Sequence, residues 1–339
     1  MAPEITVLMP VHNSEAFVRD ASESILSQTF RDLELLVVDD ASTDQTVEVL
    51  QSLYDPRVRV IRSRERLRFS GALNLGIEHA SGRFLARMDG DDIALPDRLA
   101  LQYSYMQAHP EVGLCGGLAT VFGMREGLFF RPPLTHGEIL SYMLFDCPFV
   151  HPTVMFRRDF MERYQLRYDP NYCPTDDYEL WRRAARLFPV ANLNQVLLCY
   201  RVHASSLTES AWGDMDGHAA RIAALELADL GVKTNADELQ FHRNLGRGRC
   251  FPIKRREELD RAEAWLQKLL AANAQFKRYP ATEFARIVSG IWFSACYHAG
   301  SLGLWMPMRY TRSSLRRGAA TSYKEWAALF HVAIHRISL

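Results

Sequence analysis

The sequence lacks a surplus of charge of either sign. Its 339 residues carry 40 Lys and Arg against 40 Asp and Glu, a formal net charge of zero with histidine neutral. A partner that follows a phosphate backbone needs a basic excess, so the composition argues against nucleic acid. Paired cysteines are missing too. The six at 115, 147, 173, 199, 250 and 296 form no C-x-x-C, which reads as reduced, mostly buried thiols of a cytosolic protein. The first residues, MAPEITVLMPVHNSEAF, have no basic start and no long apolar core, unlike a signal peptide. From 287 to 308 no Lys, Arg, Asp or Glu occurs, yet Ser289, Gly290, Ser294, His298, Gly300, Ser301, Gly303 and Pro307 interrupt the run. That is poor material for a spanning helix. No internal repeat, low-complexity tract or Gly/Ser linker is present.

What is present is an ordinary globular composition, 48% apolar and 24% charged, with enough length for a large domain plus an appendage. Short apolar runs alternate with helical patterns through the first part of the chain. ITVLMP at 5–10, LELLVVD at 33–39, 58–63 and 84–88 read as strands. The stretches 15–28 (Phe17, Ala21, Ile25 and Leu26 at helical spacing), 44–53 and 69–80 read as helices. This alternation predicts an α/β fold with a parallel sheet covered on both faces, and the continuous Val/Ile/Leu runs suit such burial. From about Asp214 onward the pattern is helical, which places a boundary near residue 210: a catalytic domain over 1–210 and a helical region over 211–339.

Four polar motifs each follow a strand end, where open α/β sheets bind ligands. After the second predicted strand comes Asp39-Asp40-Ala41-Ser42-Thr43-Asp44. Ser42 and Thr43 suit plain helix capping, whereas Asp40 could accept a hydrogen bond from the N–H of uracil or a similar base. After the fourth comes Met88-Asp89-Gly90-Asp91-Asp92, behind FLARM, read as an apolar strand. Three carboxylates this close repel, and a hard divalent cation such as Mn2+ or Mg2+ is the natural compensator, ahead of a merely solvated acidic turn. In Thr175-Asp176-Asp177-Tyr178-Glu179-Leu180-Trp181 a helix is expected to begin near Asp177 and to bury Leu180, Trp181 and Ala184. The helix dipole would hold a carboxylate there below its usual range, ionised at neutral pH. Finally, VLLCY leads into Tyr200-Arg201-Val202-His203, where His203 is a candidate nitrogen ligand or phosphate partner. His151, in Phe149-Val150-His151-Pro152, reads as structural or acceptor-side.

Six segments in order, VLMPVHNSEAFVRDASESILSQTF, LELLVVDDASTDQT, FLARMDGDDIALPDRL, HPTVMFRR, TDDYELWRRA and YRVHASSLT, together resemble the inverting family-2 glycosyltransferases, over about residues 5–206. The resemblance implies a GT-A fold, a Rossmann-like mostly parallel sheet flanked by helices. It implies a nucleotide-sugar donor, with a UDP-sugar favoured, and a glycan or lipid-linked oligosaccharide acceptor. Pro10, Val11, Asn13 and Glu15 would line the nucleoside pocket and Asp40 would meet the base. Asp89, with Gly90 beside it, would meet the ribose or the metal, and Asp91 with His203 would hold the metal. Asp177 would be the base, supported by Asp176. Family members often carry a basic residue before the asparagine of Asn74-Leu75-Gly76. Here that position is Leu73, with Arg66 and Arg68 nearby to substitute. The usual Glu-Asp pair is shortened to Asp176-Asp177. Polysaccharide or lipopolysaccharide assembly is the implied setting, in the cytoplasm or peripherally on the inner membrane face.

Pocket shape is expected to come from loops around 116–131 and 147–152. In the last third, Trp265, Leu266, Leu269 and Leu270, then Phe284, Ile287, Val288, Ile291, Trp292 and Ala295, form helical stripes. They read as core or dimer faces. The competing reading places Trp292, Phe293, Trp305 and Met306, with the arginines at 309, 312, 316 and 317, on a membrane surface. Two other functions stay open at this point: a degenerate carbohydrate-binding or scaffold protein, and a sugar nucleotidyltransferase. The second is disfavoured because Pro-Val-His-Asn-Ser-Glu stands where a glycine-rich basic loop is needed.

Overall fold

A computed structural model describes residues 2–204, 212–246, 253–318 and 323–335. Cys250, the expected boundary near 210 and the end of the last matching segment (205–208) lie outside them. The chain divides into two compact units, one of residues 1–139 with 148–218, the other of 140–147 with 219–339.

The first unit is built on a sheet in the order β3-β2-β1-β4-β8-β6-β9-β5, with β7 (Phe129–Phe130) paired to β6. Strand β1 (Ile5–Val11) is buried along its whole length. It pairs in parallel with β2 (Leu33–Asp39) on one side and β4 (Phe84–Arg87) on the other, while β3 (Val58–Arg62) extends β2 in parallel. Helices α1 (Val18–Leu26), α2 (Thr46–Gln51) and α3 (Arg68–His79) make the crossovers. Strand order therefore reverses between β1 and β4, and the loops leaving these neighbours open onto one crevice.

The second half of the sheet departs from the parallel expectation. Strand β8 (Met155–Arg157) runs antiparallel to β4 and to β6 (Leu114–Gly123). Strand β9 (Val190–Val202) is parallel to β6, and β5 (Ile93–Ala94) antiparallel to β9. Two reversals bring the start of β8 and the end of β9 to the same edge as the end of β4. His151 and His203 thus reach the acidic loop although 52 residues separate them in sequence. Half of the expected pocket loop 116–131 is strand β6 and two further residues are β7, so the turn between them is what leaves the sheet.

The second unit is helical in its described residues, from the 219–229 part of α8 (Trp212–Asp229) through α9 (Ala236–Gly246), α10 (Arg256–Phe276), α11 (Ala281–His298) and α12 (Trp305–Arg312) to α13 (Tyr323–His335). Its core holds Trp265, Leu266, Leu269, Phe284, Val288, Trp292 and Met306. The stripe on α11 is therefore a packing face. Trp292 and Met306, assigned to a membrane surface in the competing sequence reading, are completely buried. Arg309 is held by Asp260 and Glu263 on α10. No described helix is long and apolar enough to cross a membrane.

Candidate active site

The loops after β1 and β2 are stitched into one surface by side chains. Asn13, at φ 50°, a conformation asparagine tolerates, accepts from the Thr43 N–H at 2.9 Å, and its own N–H donates to Ser42 Oγ at 2.9 Å. Glu15 accepts from the Gln45 N–H at 2.8 Å, and Asp44 accepts from the Glu15 N–H at 3.1 Å. Ser42 and Thr43 are thus loop bridges; α2 begins later, and Asp44 accepts the Thr46 N–H at 3.0 Å. Ala41 sits at φ 54°, a costly position for a residue with a Cβ.

Asp40 is buried and accepts from the Leu67 N–H at 2.6 Å, while Arg66 lies 3.5 Å from its other oxygen. The carboxylate therefore fixes the entry to α3, where Arg68 is exposed at φ 61°. Leu73 is fully buried, so the position where the resemblance implied a basic residue is core here. Pro10 and Val11 end β1, and Gly90 lies flush against them. A Cβ at Gly90 would stand 2.7 Å from Val11 Cγ1, so only glycine permits this approach.

The acidic loop is concentrated and desolvated. Ligand atoms of Asp89, Asp91 and Asp92 all lie within 4.8 Å of one another. Asp91 Oδ2 is 2.8 Å from His203 Nε2, and the Phe17 ring packs on that imidazole with centroids 4.6 Å apart. Phe17, expected within the face of α1, instead caps that helix and meets His203. Asp92 is 1% exposed; one oxygen accepts the Arg201 N–H at 2.8 Å and the other has no hydrogen-bond partner. Burial first, then Asp89 and Asp91, push its carboxyl well above the usual range.

FLARM is not an apolar strand. Arg87 is 3% exposed and forms a two-pronged ion pair with Asp89. Fully buried Arg98 donates to the Arg87 carbonyl at 2.6 Å, and burial followed by Arg87 lowers its guanidinium to about 10. Two arginines facing three carboxylates leave a negative balance. Together with the orphaned buried oxygen of Asp92, this fits a hard divalent cation with oxygen ligands.

Helix α7 (Asp176–Ala184) begins one residue earlier than expected and buries Leu180, Trp181 and Ala184 as expected. Asp176 is fully buried and accepts from the Ser70 hydroxyl on α3, so it faces the interior. Asp177 keeps 19% of its side chain exposed, and one oxygen accepts the Tyr178 N–H at 2.6 Å. Its carboxyl is raised to about 7, because burial and then the neighbouring Asp176 outweigh that hydrogen bond and Arg87. The expectation that the helix terminus would keep it low is therefore corrected: desolvation wins here.

The site thus gathers Asp89, Gly90, Asp91 and His203 at one edge, with Asp177 nearby: both Arg87 and Asp89 act on its carboxyl. Pro10, Val11, Asn13, Glu15 and Asp40 lie at the ends of β1 and β2 and in the loops after them, next to Gly90 through Val11. A family model described as "Glycosyl transferase family 2" matches residues 6–165. The O-antigen biosynthesis glycosyltransferase WbnJ of Escherichia coli is 32% identical over 218 residues, 61% of this chain and 83% of that protein. The chain belongs to glycosyl transferase family 2. Among solved structures, S. aureus TarS 1–349 in complex with UDP-GlcNAc superposes with a TM-score of 0.54 at 17% identity, over 98% of this chain and 90% of that one. A mannosyltransferase of Pyrobaculum calidifontis in complex with GDP-Man and Mn2+ gives 0.53 at 19% identity, over 98% and 86%. The fold of this glycosyltransferase is GT-A.

Sequence reasoning missed Arg87 and Tyr168 as parts of the site. Arginine inside a short buried strand was a readable signal, since a buried guanidinium demands partners. Tyr168 carried none: it enters through Asn74, whose amide bonds both its N–H (2.9 Å) and its carbonyl (2.8 Å).

Proposed function

We propose that this family-2 enzyme is an inverting transferase that moves a sugar from a nucleoside-diphosphate donor, a UDP-sugar first among candidates, to a hydroxyl of a glycan or lipid-linked acceptor. The observation that carries the reading is the placement of one elevated carboxyl, Asp177, beside a desolvated acidic loop at the β1/β4 switch point. A base works best when its pKa lies near the working pH, and about 7 meets that condition.

In this reading Pro10, Val11, Asn13 and Glu15 wall the nucleoside, with Asp40, Arg66 and Arg68 closing its far side. Asp89, Asp91, Asp92 and His203 would hold a divalent ion. When bound, that ion offsets charge developing on the departing diphosphate. Arg87 keeps Asp89 oriented. Asp177 takes the proton of the acceptor hydroxyl as its oxygen attacks the anomeric carbon from the face opposite the nucleotide. The bond to the diphosphate breaks, and configuration inverts. Asp176 acts from within, keeping the Asp177 carboxyl high. The glycan acceptor rests on the relative named for O-antigen biosynthesis, and the 1–210 region is assigned the catalysis.

The test is turnover with UDP-glucose, UDP-N-acetylglucosamine and GDP-mannose, reading nucleoside diphosphate released and the anomeric coupling of the product. Asp177→Asn should lower kcat at least a thousandfold while nucleotide affinity changes less than about threefold. Preserved turnover removes the base assignment, and a retained configuration removes the single displacement.

A further inference from the structure

His151 begins the short 3-10 turn that leads into β8, and the antiparallel pairing of β8 with β4 sets it beside Arg87 and α7. Its ring is enclosed: Trp181 and Phe69 meet it edge-on with centroids 5.5 and 5.7 Å away, and Tyr168 lies at 5.5 Å. One nitrogen, Nε2, is 2.9 Å from the Tyr168 hydroxyl. The other, Nδ1, is 3.9 Å from Asp177 Oδ2, the oxygen opposite the one that accepts the Tyr178 N–H. That separation is about an ångström beyond a hydrogen bond, within reach of a small side-chain adjustment.

We propose that His151 is a positioning residue for Asp177, held by Tyr168 as the Nδ1–H tautomer so that a neutral N–H donor faces the ionised carboxylate. The inference rests on Asp177 being the base. Tautomer choice follows from counting donors. With the proton on Nε2, the Nδ1 lone pair would face a carboxylate at 3.9 Å in a desolvated setting, two acceptors opposed. With the proton on Nδ1, the Tyr168 hydroxyl donates to Nε2 and both ring nitrogens are served. The hydroxyl keeps its proton, since burial raises it well above 10, and burial followed by Arg87 keeps the imidazole neutral. The Tyr168 ring is confined by burial, at 3% exposure, and Asn74 holds its backbone from both sides. The chain Asn74–Tyr168–His151–Asp177 thus carries orientation from α3 to the carboxylate without adding charge to it. Asp176, Arg87 and Asp89 act on the Asp177 carboxyl, the buried Tyr168 hydroxyl senses it, and His151 is a neutral neighbour.

The experiment is NMR on the full-length protein in EDTA at pH 8.5, labelled with 15N-histidine and 13C-aspartate, with His151→Gln and Asp177→Asn for assignment. Wild type should show His151 neutral with its proton on Nδ1, which needs no variant to read. Tyr168→Phe, which removes only the hydroxyl, should release the ring from its fixed orientation and raise the Asp177 carboxyl midpoint by at least half a pH unit. A purely structural histidine would leave that midpoint in place. An Nε2–H ring in wild type, or an Asp177 midpoint indifferent to Tyr168→Phe, overturns the proposal. Turnover is read separately. Asp177→Asn that still transfers sugar would overturn the base assignment and leave the measured ring orientation intact.

Discussion

Replacing Asp177 by asparagine should make the protein more stable, by an amount that depends on pH in a defined direction. In the folded chain this carboxyl sits at about 7 against an ordinary 3.8, raised by burial and then by Asp176. Between those values the native state holds a proton that the unfolded chain has lost, so stability falls as pH rises from 4 to 7. Below pH 4 both states are protonated and the cost vanishes; above pH 7 both are ionised and the full cost applies. About three pKa units at 1.36 kcal/mol each give roughly 4 kcal/mol as an upper figure. Partial exposure of the side chain reduces it, so about 2–4 kcal/mol is expected. Asparagine retains the acceptor that the Tyr178 N–H uses. Urea unfolding in EDTA, followed by circular dichroism, should show Asp177→Asn gaining this amount at pH 8.5 and under about 0.5 kcal/mol at pH 4. A gain that is flat across pH, or a loss at pH 8.5, would refute the claim that the carboxyl is held in a desolvated site.

Arg87→Met leaves Asp89 without its buried partner and should cost about 3–5 kcal/mol, with Asp89→Asn in the same chain recovering most of it. A double-mutant coupling under about 0.5 kcal/mol would mean the pair is incidental. Trp292→Ala should cost about 3–5 kcal/mol in the helical unit, since the indole is fully buried there. Its binding to anionic vesicles should match wild type. A variant that keeps its stability but loses vesicle binding would return Trp292 to a membrane surface.

Much of the first unit was legible because its physics is local. Strands β1 and β2 are dominated by buried Val, Ile and Leu, and the helices that follow them come from spacing, so the parallel half of the sheet could be read directly. The carboxylates of the acidic loop stand within four residues, so their clustering was visible in the chain itself. The antiparallel half was not legible. Strand β8 is only three residues long, Met155–Arg157, and nothing in so short a segment tells which neighbour it joins. That pairing is what carries His151 to Asp177, so His151 looked structural or acceptor-side from sequence. The Asp177 carboxyl was misjudged for a related reason. Helix position is a local property, whereas the burial of Asp177 and the repulsion from Asp176, held by Ser70 on α3, come from tertiary packing. In the helical unit the stripes were visible, but whether an apolar face meets lipid or another helix depends on packing that periodicity does not encode.

The central claim is that the crevice between β1 and β4 takes a nucleoside diphosphate together with a divalent ion. Thermal unfolding of wild type and Asp91→Ala with UDP, GDP, UDP-glucose, UDP-N-acetylglucosamine and GDP-mannose, each with and without Mn2+, tests it directly. At a hundred times Kd a ligand of the native state adds about 2.7 kcal/mol. One nucleotide series should therefore raise Tm by several degrees with Mn2+ only, and Asp91→Ala should abolish the rise. A well-folded wild type that no nucleotide stabilises, with or without metal, would contradict the account.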